Sequence, residues 1–171
     1  MLSALACTTM AETQFLPDAG GNTKRPDVIS VLGILTFINT GAFILIYLIG
    51  LFGMSVIAQM PVDEFVEVMN EGAGKYLEAE QHDMLEELAR ILHGSGVMLM
   101  IIYLIRSVAR FVGAMGIWKG RKMGFYIYAG AQLIGLFLPH MILPWSFLGI
   151  FGPLMTVGMT AIYGSQLKRL A

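Results

Sequence analysis

The chain has 171 residues, 56% of them hydrophobic and 13% charged, with a formal net charge of −1 at pH 7. A soluble domain carries about 25% charged residues, and a near-neutral chain has no electrostatic footprint for nucleic acid. The single cysteine, Cys7, excludes an intrachain disulfide framework and a cysteine-rich metal site.

Residues 1–27 read as a polar N-terminal cytoplasmic tail that ends in the basic pair Lys24-Arg25. Leu5-Ala6-Cys7 resembles a lipoprotein cleavage site, but the stretch before the cysteine is short and lacks a basic start. It leaves no room for the apolar segment of a signal peptide, so a plain tail is expected.

No Asp, Glu, Lys or Arg lies between Val28 and Val62. A helix needs roughly 20 apolar residues to cross the hydrocarbon core, and this stretch predicts a first span over about 28–58. Segment 61–90 has another character. Asp63, Glu64, Glu67, Glu71, Glu78, Glu80, Asp83, Glu86 and Glu87 face only Lys75 and Arg90. Val62, Phe65, Val66 and Met69 recur there at helical spacing, as do Leu77, Met84, Leu88 and Ile91, so two amphipathic helices are expected, broken at Gly72-Ala73-Gly74. The second is expected to run on into span 2, over about 91–118.

The cluster Lys119, Arg121, Lys122 follows, and then nothing charged occurs from Met123 to Leu167. That length holds two spans, about 123–139 and 145–165, with Pro139 and Pro144 supplying the turn. Residues 168–171, with Lys168-Arg169, close the chain. The fold class expected is therefore all-α: a polytopic, four-span membrane domain over 28–167, with an amphipathic segment between spans 1 and 2. The positive-inside rule places all three basic clusters in the cytoplasm and the acidic segment outside, so both termini face in.

Polar residues within the spans are the candidates for chemistry. Arg106 and Arg110 lie four apart and share one helix face. At 1.5 Å per residue they stand roughly 18 and 12 Å from Trp118. Asn39, Gln132 and Thr156 fall at about 14–17 Å from the same side. These five residues outline a buried polar layer or ligand site. Arg106 there costs about 2.5–3.5 kcal/mol on insertion scales, and no other span offers a carboxylate to pair with it. In the other register of span 2 the hydrophobic core is Ile91–Ala109, and Arg106 snorkels to the interface along its own stem.

His93 and His140 fall at the opposite end, and two histidines from facing helices at one level could ligate a haem. Tolerated interfacial histidines are the plainer reading, and no cofactor is expected. Glu78, His82 and Glu86 form an i, i+4, i+8 stripe, read as a solvated acidic face rather than a metal site because the Glu-x-x-His spacing is missing. Gly152, Thr156, Thr160 and Gly164 place small residues every four positions, and Ala109 with Gly113 and Ala131 with Gly135 repeat the spacing; such stripes let helices pack closely in lipid. Trp118, Trp145, Tyr126 and Tyr128 read as an interfacial aromatic belt. Phosphate-binding, metalloprotease and serine-hydrolase motifs are absent from the sequence, so no enzyme is expected.

Lys24-Arg25-Pro26 with Val31-Leu32-Gly33-Ile34-Leu35-Thr36-Phe37-Ile38 resembles the opening of small uncharacterised four-span membrane proteins of Gram-negative bacteria. The stretches from Gly116 to Tyr128 and from Ala161 to Lys168 resemble them too. In outline the likeness covers 24–168 and departs in the acidic segment and the N-terminal tail. It implies a four-span bundle in the bacterial inner membrane and carries over no activity or cofactor. The expected function is that of a non-catalytic accessory subunit, with the bilayer and other membrane subunits, or a second copy, as partners. A small anion transporter or channel using Arg106 and Arg110 is the alternative, and a haem-binding redox subunit the minor one.

Overall fold

A computed structural model describes residues 15–171; the Cys7 site falls outside them. Among the described residues the chain is helical, apart from an isolated antiparallel bridge between Phe15 and Leu170. Five α-helices follow in order: α1 Asp27–Ile57, α2 Val62–Gly72, α3 Ala79–Trp118, α4 Lys122–Phe137 and α5 Phe151–Ser165.

Helix α1 starts behind Pro26, with Asp27 in its first turn where a negative charge suits the helix dipole. It is apolar on all sides. Pro61 performs the same start for α2, whose buried Phe65 and Val66 pack with Ala89 of α3 and, around them, Ile57, Met60 and Leu92. The helix breaks after Gly72, as the glycine pattern predicts, and a short 3-10 turn over Gly74–Tyr76 leads to α3. There Glu78 and Gln81 form a reciprocal capping box. Glu78 of the acidic stripe thus serves as a helix cap.

Helix α3 has 40 residues and is about 60 Å long, twice the thickness of a hydrocarbon core of about 30 Å. Among the described residues, Asp27–Ile57 and Gln81–Trp118 are the two helices long and apolar enough to cross a membrane. The turn from α3 to α4 is a Schellman closure. Gly120 takes φ 79°, its N–H meets the Ile117 carbonyl at 2.9 Å, and the Arg121 N–H meets that of Gly116 at 2.9 Å. Immediately beside it the two helices touch backbone to backbone. A Cβ on Gly116 would lie 2.6 Å from the Gly124 Cα, and one on Gly113 would lie 2.6 Å from the Tyr128 nitrogen.

The two segments expected as spans 3 and 4 are built differently from the sequence expectation, and neither yields a helix long enough to count with α1 and α3 as a membrane crossing. Helix α4 ends at Phe137 and passes into a 3-10 turn over Leu138–Met141. The segment from Trp145, expected to be helical throughout, opens as a 3-10 turn, Trp145–Leu148, and breaks at Gly149. The φ of 60° at that glycine interrupts the ladder, so α5 begins only at Phe151. The aromatic belt is also partly relocated. Tyr128 is fully buried, and Trp118 packs against Phe37 and covers Gly33. Tyr126 and Trp145 remain on the outside.

The three basic clusters meet at one end of the bundle. Arg25 donates from Nε to the Trp118 carbonyl at 3.1 Å and lays its guanidinium 3.9 Å over the Trp118 ring. Arg169 bonds the carbonyls of Asn22 and Lys24 and pairs with Asp18 at 3.0 Å. The Lys122 N–H donates to the Ala171 carbonyl at 2.8 Å. Beneath this clasp lies the main core, with Ile29, Leu32, Ala114, Ile117, Tyr128 and Tyr163 at its centre. The acidic α2 and the start of α3 form the other end. Between the ends the outward side chains are apolar on every long helix: Ile38 and Phe52 on α1, Ile105 and Val112 on α3, Ile134 on α4, Phe151 and Ile162 on α5. An apolar exterior of this extent marks a surface made to meet lipid or protein.

A candidate anion site between α1 and α5

Helix α1 packs along α3, α3 along α4, and α4 along α5, while α1 and α5 scarcely touch each other. They are tied near the clasp, where the Tyr163 hydroxyl and Thr36 Oγ1 share a hydrogen bond of 2.9 Å. Further from the clasp they part, leaving a cleft of about 610 Å³. Asn39, Arg106, Arg110, Gln132 and Thr156, the five residues of the expected polar layer, all line it.

Each arginine reaches sideways to a neighbouring helix. Arg106 donates from Nη2 to Gln132 Oε1 on α4 at 3.3 Å, and Arg110 donates from Nη2 to Asn39 Oδ1 on α1 at 3.5 Å. Behind them, Gln132 donates from Nε2 to the Tyr128 hydroxyl at 3.1 Å. The Tyr128 ring meets that of Tyr163 edge-on, with centroids 4.9 Å apart. The route of Arg106 is set by Gly135: a Cβ there would collide with Arg106 Cγ, Cδ and Nε. Its stem therefore lies against α4.

The electrostatics are one-sided. Among the described residues no carboxylate lies within ion-pair distance of either arginine; the ion pairs present join Arg90 to Asp63 and Arg169 to Asp18. Both amide contacts are longer than the 2.7–3.2 Å typical of N–H···O bonds. Nε of Arg106 and Nε of Arg110 are buried without a hydrogen-bond partner. Two like charges at i, i+4 repel, and neutral amides do not cancel them. The site can hold an anion, with two guanidinium forks as donors.

Other candidates are placed elsewhere. His93 bonds the Met60 carbonyl through Nε2 at 2.8 Å; His140 contacts the Pro144 carbonyl through Nδ1 at 3.3 Å and stacks on Trp145. Neither lines the cleft. Among the described residues no group of three or more His, Cys, Asp or Glu is placed to hold a metal. In the small-residue stripe, Thr156 is buried and accepts the Thr160 hydroxyl at its carbonyl at 2.7 Å, while Gly152 and Gly164 meet only side-chain tips of Leu136 and Phe125. The backbone-close seam runs through Gly113, Gly116 and Gly124 instead.

Sequence reasoning missed Thr36, Ser107 and Tyr47 in the cleft wall, and Tyr128 and Tyr163 behind it. One signal was present: Thr36 with Thr40 and Tyr128 with Gln132 are i, i+4 pairs of polar side chains in otherwise apolar helices. Comparison with protein-family models, curated proteins and solved structures finds no match to this chain.

Proposed function

We propose that this chain is a non-catalytic, four-span protein of a bacterial inner membrane that binds an anionic ligand in the α1–α5 cleft through Arg106 and Arg110. The observation that carries the reading is the pairing of two guanidiniums in one cleft with no carboxylate beside them among the described residues. The outward apolar faces of α4 and α5 support counting them as spans, although each helix alone falls short of the roughly 20 residues a crossing needs. Counting the 3-10 turn, Trp145–Ser165 reaches that length, and local thinning of the bilayer absorbs a residual mismatch. Convergence of three basic clusters at one end supports both termini facing the cytoplasm. The test is ligand-dependent stabilisation of the purified protein by anions, inorganic phosphate and anionic lipid both being tried. The wild type is expected to gain thermal stability with at least one of them, and the double variant R106Q/R110Q to gain none. Equal responses of the two proteins would refute the assignment.

The same unmatched arginines favour a second reading, an accessory subunit whose partner inserts a carboxylate into the cleft. It predicts that the chain co-migrates with another protein after mild detergent extraction, and that R106Q/R110Q abolishes the association. Recovery of the lone chain or its homo-oligomer would count against it.

A further inference from the structure

Resting on the anion-binding reading, the geometry points to the kind of ligand: we infer that the cleft takes an anionic amphiphile, a phosphate-bearing head on the two arginines with its apolar tail leaving between α1 and α5.

The size of the cleft is the first argument. A bare tetrahedral oxyanion of five heavy atoms occupies on the order of 100 Å³, judged from the ~30 Å³ share of a water molecule. The cleft holds about 610 Å³. An inorganic anion seated on the arginines fills only a small part of that open cleft. The chemistry of the walls is the second. Beside the guanidiniums and the hydroxyls of Thr36, Tyr47, Ser107 and Thr156, the lining includes Leu35, Phe43, Phe151, Met155 and Met159, side chains that solvate a hydrocarbon and give a small hydrated ion nothing. Methionine adds flexible, polarisable contact of the sort that adapts to a chain.

The third argument is the exit. Helices α1 and α5 scarcely touch, and the side chains that flank their gap, Leu35 and Phe151 among them, are exposed and apolar. A tail leaving there passes from an apolar wall to an apolar exterior without crossing a polar surface. The head, conversely, is drawn in by donors that have no carboxylate beside them among the described residues. Charge-assisted bonds from guanidinium to phosphate are the strong class of hydrogen bond, and the fork geometry matches phosphate oxygens. A polar pocket that opens sideways onto an apolar exterior selects a molecule with both characters.

The experiment uses the full chain purified in a mild non-ionic detergent. Native mass spectrometry counts the adducts retained after incubation with phosphatidic acid or phosphatidylcholine. Thermal unfolding with inorganic phosphate supplies the soluble arm. The expected result is one retained phosphatidic acid per chain, little phosphatidylcholine and no shift with inorganic phosphate. R106Q/R110Q should lower retention at least about tenfold, the scale of 1.4 kcal/mol, with helicity by circular dichroism unchanged. A second variant leaves both charges in place: Gly152→Phe fills the cleft wall, where nothing but a Leu136 methyl at 4.0 Å stands near the new Cβ. It should block the lipid without disturbing the arginines. Should inorganic phosphate stabilise the wild type while phosphatidic acid is not retained, the amphiphile is refuted and the anion site stands. If neither binds, both fall. Retention undiminished in R106Q/R110Q and in Gly152→Phe places the lipid elsewhere and overturns the inference.

Discussion

The seam between α3 and α4 gives the most direct physical test of the fold. A Cβ on Gly124 would lie 2.5 Å from both the Gly116 carbonyl carbon and the Ile117 nitrogen, and one on Gly113 would lie 2.6–2.8 Å from the Tyr128 backbone and Cβ. Ordinary contact begins near 3.4 Å, so Gly124→Ala or Gly113→Ala must part the helices by roughly an ångström, forfeiting dispersion along the seam. Backbone atoms have no rotamer to yield. Overpacking of this kind costs about 1–3 kcal/mol. Gly130 and Gly158 are helical glycines whose built Cβ meets, beyond their own helix backbone, no atom of the described residues within 4 Å, and there the helix preference of alanine is worth about 0.8–1.0 kcal/mol. The two classes of Gly→Ala change should therefore differ in sign. Gly113→Ala and Gly124→Ala should lower the unfolding midpoint in detergent, followed by the fluorescence of Trp118 and Trp145, while Gly130→Ala and Gly158→Ala leave it unchanged or raise it. If all four variants shift together, or the seam variants unfold with the wild type, close backbone approach is not what holds α3 against α4.

The clasp carries a pH dependence. The Asn22 N–H chiefly, against a smaller opposing effect of burial and aided by Gly20 and Arg169, holds the Asp18 carboxyl below its ordinary value of 3.8. Its contribution is thus complete above pH 3.8 and is lost as pH falls through the lower folded value. Hydrogen exchange at the Gly20 and Asn22 amides should stay constant in relative protection from pH 7 to 5, and Asp18→Asn should speed it at pH 7; indifference to the substitution would remove Asp18 from the clasp. Topology is tested by reporter fusions. Alkaline phosphatase joined after Gly74 or after Leu143 should be active outside the membrane, and a fluorescent protein joined after Ala171 should mature inside. Inactivity after Leu143 alone would leave two spans rather than four.

The helices, and the shared level of the polar residues that line one cleft, were readable because both depend on quantities local to the chain. Uncharged stretches give the apolar lengths, and a fixed rise of 1.5 Å per residue turns sequence position into depth, which is why Asn39, Arg106, Gln132 and Thr156 could be set at one level before any contact was known. Tertiary choices were not readable. Tyr128 and Tyr126 are two residues apart beside a basic cluster, and nothing in composition says that one is buried against Tyr163 while the other faces outward. Gly149 was invisible as a break because its φ of 60° is one use of glycine among several. The same distinction explains the cleft. A spacing of four puts Arg106 and Arg110 on one face, but whether that face is covered depends on the helices to either side. Here the glycine seam draws α3 onto α4, while Phe43 and Tyr47 on one side and Phe151 and Met155 on the other stand in the gap between α1 and α5. Small residues close one interface, and large ones line the cleft at the other. The paired charges are thereby left facing a space that an anion can enter.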